Sequence, residues 1–253
     1  MIYIAFLIFT ILILLFVLYQ WQFFMVFTPL SYQKSPLCEE CSLLSAVMSD
    51  GVELEGALYE PQNPHATLLV FVGRSHDAVG LINKFARTYP DVRIIAFNYR
   101  GYGKSKGSVD EKNIYSDALE IAALVEKNYG SFFTLGFSIG SSVATYLASR
   151  KTTSALFLIG AFDSVEALAK RKFPWLPKWL LRYKFPTIEY IKEVSAPTYL
   201  FVSRADEIVP IANAQRLKNA VPNLVCYKEF EDLSHKELLW DEEVIQTIQK
   251  AMQ

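Results

Sequence analysis

The chain has 253 residues, enough for one α/β domain and an appendage, and a core of that size needs neither disulfides nor a metal to hold it. A formal net charge of −1 excludes the global basic field with which a protein attracts nucleic acid. An aromatic content of 14% and a mean hydropathy of +0.20 fit a soluble domain that carries one very apolar segment.

That segment is the N-terminus. No charged side chain occurs from Ile2 to Tyr19, and Trp21, Phe23, Phe24 and Phe27 prolong the apolar run. About 20 such residues suffice to cross a bilayer as a helix. A cleaved signal peptide would want a basic start, a shorter core and a small-residue cleavage site, and the sequence offers none of these. Residues 1–27 therefore read as a transmembrane anchor of a single-pass protein of the cell membrane, with Tyr19 and Trp21 placed for an interfacial belt. Lys34 is the only cation soon after the span, so the side on which the domain lies stays open, with a slight bias toward the cytoplasm.

Residues 28–41 read as a linker, and 42–253 as the folded domain. Cys38 and Cys41 form a C-x-x-C pair without further ligands nearby for zinc; the reading adopted is two inert thiols, with a local disulfide as the alternative. Leu43 to Met48 and Val52 to Tyr59 read as a hairpin turning at Ser49-Asp50-Gly51. Thr67 to Val72 is a continuous apolar run, as a strand buried on both faces should be. Gly80 to Tyr89 reads as a helix, Arg93 to Phe97 as a strand, and Glu111 to Asn128 as a helix on its apolar spacing. Phe132 to Leu135 is a strand and Ser141 to Ala148 a helix. Further strands are expected at Ala155–Ile159, Thr198–Val202 and Val225–Phe230, with helices at Ile211–Asn219 and Glu237–Gln249. Alternation of this kind means a mostly parallel sheet covered by helices on both faces, the early hairpin being the antiparallel exception.

Between a strand and a helix lies Gly136-Phe137-Ser138-Ile139-Gly140, a G-x-S-x-G run. In that setting a sharp turn lifts the serine hydroxyl above the sheet edge, and the following helix directs partial positive charge at an oxyanion formed there. A serine hydroxyl needs a base, and the base an orienting acid. There are three histidines. His65 lies in a turn before its strand, and His76 in a loop ahead of the serine. His235 follows the last strand, and it alone satisfies the order serine, acid, histidine of this strand–turn–helix arrangement. The acid should end a late strand. Asp206 is the best candidate, Asp163 its competitor, and Glu207 is expected to point elsewhere. Asp232 is too near His235 in sequence to reach its Nδ1. The two oxyanion donors are the backbone N–H groups of Ile139 and Arg74.

With these residues the chain resembles the α/β-hydrolase family, and within it the membrane-anchored serine aminopeptidase-like and depalmitoylase-like branch. The resemblance rests on Asn98-Tyr99-Arg100-Gly101-Tyr102-Gly103-Lys104-Ser105, on Gly136 to Gly140, on Arg204-Ala205-Asp206-Glu207-Ile208-Val209-Pro210 and on Ser234-His235, and it covers Ser42 to the C-terminus. It departs at Val72-Gly73, where many relatives have His-Gly, and at the large Arg74. The resemblance implies an α/β-hydrolase fold with a short cap at about 163–190, preceded by one transmembrane helix. It implies hydrolysis of an ester or thioester in a small-molecule or lipid acyl substrate, through an acyl-enzyme and with no metal or organic cofactor. A peptidase of the aminopeptidase type and a non-catalytic, membrane-tethered binding module are the alternatives. The Asn98 to Ser105 stretch is expected to be structural. In the cap, cations and large aromatics mix from Lys170 to Phe185, and Trp175, Trp179 and Arg182 or Tyr183 recur at helical spacing. A helix of that kind suits a membrane interface; the bland alternative is a lid whose aromatics pack over the pocket.

Overall fold

The computed structural model describes residues 2–29 and 36–253. Residues 30–35 of the expected linker, Lys34 among them, lie outside the described residues. The chain begins with helix α1 (Ile2–Val26) and continues through strands β1 (Cys41–Val47), β2 (Glu53–Tyr59) and β3 (Ala66–Phe71) to helix α2 (Ala78–Thr88). Then come β4 (Val92–Phe97), α3 (Glu111–Tyr129), β5 (Phe133–Phe137), α4 (Ile139–Arg150) and β6 (Leu156–Ile159). The cap contributes α5 (Val165–Lys172) and the short α6 (Thr187–Tyr190); β7 (Thr198–Ser203), α7 (Ile211–Lys218), β8 (Leu224–Phe230) and α8 (Glu242–Ala251) complete the chain.

The eight strands form one sheet in the order β1-β2-β4-β3-β5-β6-β7-β8. β2 runs antiparallel to both β1 and β4, and every other pair is parallel. The central strands are continuous apolar runs because helices cover both faces. Leu68, Leu69 and Val70 of β3 and all four residues of β6 are buried. The parallel strands share one direction, so the loops after β3, β5, β6, β7 and β8 gather at one edge of the sheet, where this class of fold places its ligands.

Three expectations need correction. The helix expected over Glu237–Gln249 is two pieces: a 3₁₀ turn at Glu237–Trp240, then α8. Asp241 divides them, its backbone extended and its carboxylate accepting the Val244 N–H as an N-cap. The cap does not form an aromatic helix across Lys170–Phe185. α5 ends at Lys172, since Pro174 and Pro177 cannot continue it, and only a 3₁₀ turn follows at Lys178–Leu180. Cys38 and Cys41, expected as thiols, are joined as a disulfide. The Cys41 N–H donates to Cys38 O (3.0 Å), a tight turn that brings the two Cα atoms to 4.9 Å, within bridging range.

From Ile2 to Val17, α1 is exposed except at Thr10 and Leu15, which are half-buried. Its last turns behave differently. Gln22 is buried, its Nε2 donating to Leu180 O (2.9 Å) while its Oε1 accepts the Arg182 N–H (2.8 Å). Phe27 is buried against Tyr183 (5.0 Å between ring centroids) and Phe185 (6.0 Å). Thr28 N–H donates to the Tyr102 hydroxyl (2.9 Å). The end of the helix is therefore bonded to the cap and to the body of the domain.

Candidate active site

Ser138 stands between β5 and α4 with φ 56° and ψ −122°, a left-handed conformation that costs a non-glycine residue energy and recurs at functional sites. Its own backbone is held: the N–H donates to Ile159 O (2.9 Å), and Ser138 O accepts the Ser141 N–H (2.9 Å). The flanking glycines are required by close approach. A Cβ on Gly136 would run into Gly140 O and the Ser141 Cα, and one on Gly140 into the backbone oxygens of Phe71 and Val72. Gly140→Ala is thus expected to force β3 away from α4 and to destabilise the domain by about 1–3 kcal/mol, read as a lowered thermal midpoint. An unchanged midpoint would show that the two elements separate freely.

The loop after β3 carries Arg74. Tyr99 and Tyr102 hold it by donating their hydroxyls to Val72 O (2.8 Å) and Arg74 O (2.8 Å). The turn that carries them is fixed by Asn98, whose side chain accepts the Ala78 N–H (2.6 Å) and donates to Asp77 (2.8 Å), and by Arg100, paired with Asp117 (2.6 Å) and Asp50 (2.6 Å). The Asn98–Ser105 stretch thus shapes this loop. The Arg74 guanidinium donates to Met25 O at the end of α1.

His235 and Asp206, 29 residues apart, meet: Nδ1 of the buried imidazole lies 2.6 Å from Asp206 Oδ2. The other carboxylate oxygen accepts the N–H groups of Ile208 (2.8 Å) and Val209 (2.7 Å), so Asp206 is fixed by its own loop. The imidazole packs on the ring of Phe137, the neighbour of Ser138, at 4.9 Å between centroids. A Cβ on Gly160 would lie 2.9 Å from its Cε1, so the chain leaving β6 makes room for the ring. Glu207 has a place that sequence reasoning missed: its Oε2 accepts the His235 N–H (3.1 Å) and steadies the loop bearing the imidazole.

The other candidates have other partners. The Asp163 carboxylate accepts the Ser164 N–H (2.8 Å), the Asn213 amide (2.8 Å) and Arg216 Nε (2.7 Å), while Asp163 O accepts the Ile188 N–H (2.9 Å). These bonds tie the start and end of the cap to α7. His76 is half-buried beside Phe137, 5.5 Å between centroids, and burial pushes its imidazole below the ordinary value, toward the neutral form. His65 sits just before β3, bonded to Asp91 O, away from the carboxyl ends of the strands.

A cavity of about 670 Å³ opens beside Ser138 and Ile139. Its walls come from the cap (Leu168, Phe173, Leu176) and from α1 (Leu18, Trp21, Met25). Among the described residues, Arg74, Arg171 and Lys172 are its cationic lining and Glu207 its one carboxylate. The part played by α1 was also missed. The signal available for it was Gln22, a polar residue within an apolar run, whose amide in a dry setting demands partners of its own.

A family model described as the α/β-hydrolase fold matches residues 68–190. An uncharacterized protein of Mycobacterium tuberculosis is 30% identical over 149 residues, which are 57% of this chain and 53% of that one. The α/β-hydrolase domain-containing protein aho-3 of Caenorhabditis elegans is 28% identical over 170 residues, 64% of this chain and 50% of that one. The chain spans about half the length of these curated relatives. Among solved structures, an esterase of Pyrococcus furiosus superposes with a TM-score of 0.69 at 19% identity, over 90% of this chain and 98% of that one. By its strand order and by the match over its central part, the chain has the α/β-hydrolase fold.

Proposed function

We propose that the protein is a membrane-anchored serine hydrolase that cleaves a carboxylic ester or thioester through an acyl-enzyme. In this reading Ser138 is the nucleophile, His235 the general base, Asp206 the acid that orients it, and the N–H groups of Arg74 and Ile139 form the oxyanion hole. The observation that carries the reading is the His235–Asp206 contact of 2.6 Å beside the strained turn of Ser138. Asp206 keeps the proton of the imidazole on Nδ1, which leaves Nε2 free to take the Ser138 proton. The hydroxyl oxygen attacks the acyl carbon, and negative charge grows on the carbonyl oxygen, where the N-terminus of α4 and the two backbone donors stabilise it. His235 returns the proton to the leaving alcohol or thiol. Water, activated by the same imidazole, then frees the acid and the serine. Labelling with a fluorophosphonate, wild type against Ser138→Ala, is the test: loss of label in the variant is expected, and equal labelling of both proteins overturns the assignment.

The cavity favours an acyl substrate over a peptide with a free amino terminus. Among the described residues that line it, cations outnumber the carboxylate three to one, and that carboxylate, Glu207, already accepts a backbone N–H.

Membrane attachment is the second part of the proposal. In water the exposed apolar side chains of α1 would lose the burial that stabilises other helices, and a bilayer supplies it. At about 1.5 Å per residue the helix is about 37 Å long, against a hydrocarbon core of about 30 Å. The surplus leaves the last turns, which hold Trp21 and Gln22, at the interface with the cap. Alkaline carbonate extraction of membranes is expected to leave the protein in the pellet, and full release into the supernatant would refute the anchor.

A further inference from the structure

We propose that α1 is a wall of the substrate site as well as an anchor, and that the cleft between α1 and the cap takes the acyl chain of a lipid-like ester or thioester arriving from the membrane interface. This rests on the reading of Ser138 as the nucleophile and adds to it the class of substrate and its path.

The argument begins from what a tether needs. A helix that serves only to hold a domain near a bilayer requires no contact with the domain. Here the buried Gln22 amide makes two hydrogen bonds to the cap backbone, Arg182 donates to Gln20 Oε1 (2.8 Å), and Trp21 meets Phe173 edge-on at 6.1 Å. Anchor and cap are one unit. The space left between them is the cavity beside Ser138, and its volume of about 670 Å³ suits one ligand of moderate size. Leu18, Trp21 and Met25 line it from α1, and Leu168, Phe173 and Leu176 from the cap. A chain of methylene groups is the ligand that such apolar walls recognise, and its ester carbon would then lie near the serine.

The position of α1 decides where the chain comes from. The same helix that lines the cleft continues, largely exposed and apolar, from Val17 back to Ile2. An acyl chain leaving the bilayer along α1 stays against apolar surface throughout and need not cross water. Trp175 (67% exposed) and Trp179 (74% exposed), on the cap beside cationic Lys172 and Lys178, suit the headgroup layer at that point.

The test uses the full chain in detergent micelles and a series of nitrophenyl esters from butyrate to palmitate. Met25→Trp and Leu18→Trp each place bulk in the cleft. Phe9→Trp places the same bulk on the exposed part of α1 and leaves activity as it is. The palmitate-to-butyrate ratio of kcat/KM is expected to fall about tenfold or more in either cleft variant and to stay unchanged in Phe9→Trp. A ratio does not depend on the fraction of enzyme that is folded, so a poorly folding variant still reports. An unchanged ratio in both cleft variants overturns the proposal. Where wild type shows no turnover that depends on Ser138, the hydrolase reading fails, and the cleft is then read by labelling with a diazirine-bearing palmitate. Label on Leu18 to Met25 that excess unlabelled palmitate displaces supports the cleft; label confined to the exposed stretch around Phe9 and Phe16, undiminished by competitor, overturns it.

Discussion

Ser138→Ala is expected to lower kcat on any ester that the wild-type protein turns over by about 10⁶-fold, with the thermal midpoint almost unchanged. The contrast between the two readouts follows from how the turn is held. Its strain lies in the backbone, at φ 56°, and the hydrogen bonds that fix it are made by the Ser138 N–H and carbonyl, which alanine retains. Alanine is no more comfortable there than serine, so the folded state neither gains nor loses much. What is lost, on the proposed mechanism, is the oxygen on which an acyl-enzyme forms. The remaining parts act through that oxygen, so what survives without it is the modest catalysis of the oxyanion donors and of substrate binding. Hydrolysis of a short acyl ester, followed together with thermal unfolding of both proteins, separates the outcomes. A variant that keeps its midpoint and its activity would remove Ser138 from the mechanism, and one that loses both would mean the hydroxyl supports the fold.

How much of this was legible in the sequence follows from which forces act locally. The central strands show themselves because a strand covered on both faces must be apolar throughout, and β3, β5, β6 and β7 all lie within two residues of their expected bounds. The helix boundary at Asp241 was harder to see. The apolar spacing of Leu238, Leu239, Val244 and Ile248 runs across it, while the break depends on one carboxylate turning back to cap Val244. In the cap, the aromatic period overrode the prolines at 174 and 177, which are the stronger local signal. Contacts between distant segments were invisible for a different reason. Gln22 reaches Leu180 and Arg182 across about 160 residues, and Glu207 reaches the His235 backbone across 28. No periodicity encodes such pairs. Only the unusual cost of a polar group in an apolar setting marks one of their members in advance.

The identity of the acid gives the second large effect. Asp206→Asn is expected to reduce kcat by about 10⁴-fold, while Asp163→Asn costs stability and spares most of the chemistry. Both aspartates follow parallel strands, and both are buried or half-buried, so position alone does not separate them. Their partners do. Asp206 presents one oxygen to His235 Nδ1 and gives the other to the N–H groups of Ile208 and Val209. An asparagine in its place can still accept from those two donors, so the loop survives. Its amide would then offer an N–H to Nδ1, and the imidazole would have to carry its proton on Nε2. In that tautomer His235 points a donor at Ser138 and cannot take the serine proton. Asp163 is bonded instead to Asn213, Arg216 and the Ser164 N–H, which join α7 to the cap. Removing its charge weakens an ion pair whose arginine is half exposed, an effect of about 1 kcal/mol that lowers the thermal midpoint. Measuring kcat and the thermal midpoint for both variants decides the matter. If Asp163→Asn abolishes turnover and Asp206→Asn keeps it, the imidazole is oriented from the end of β6, and the proposed triad is wrong in its third member.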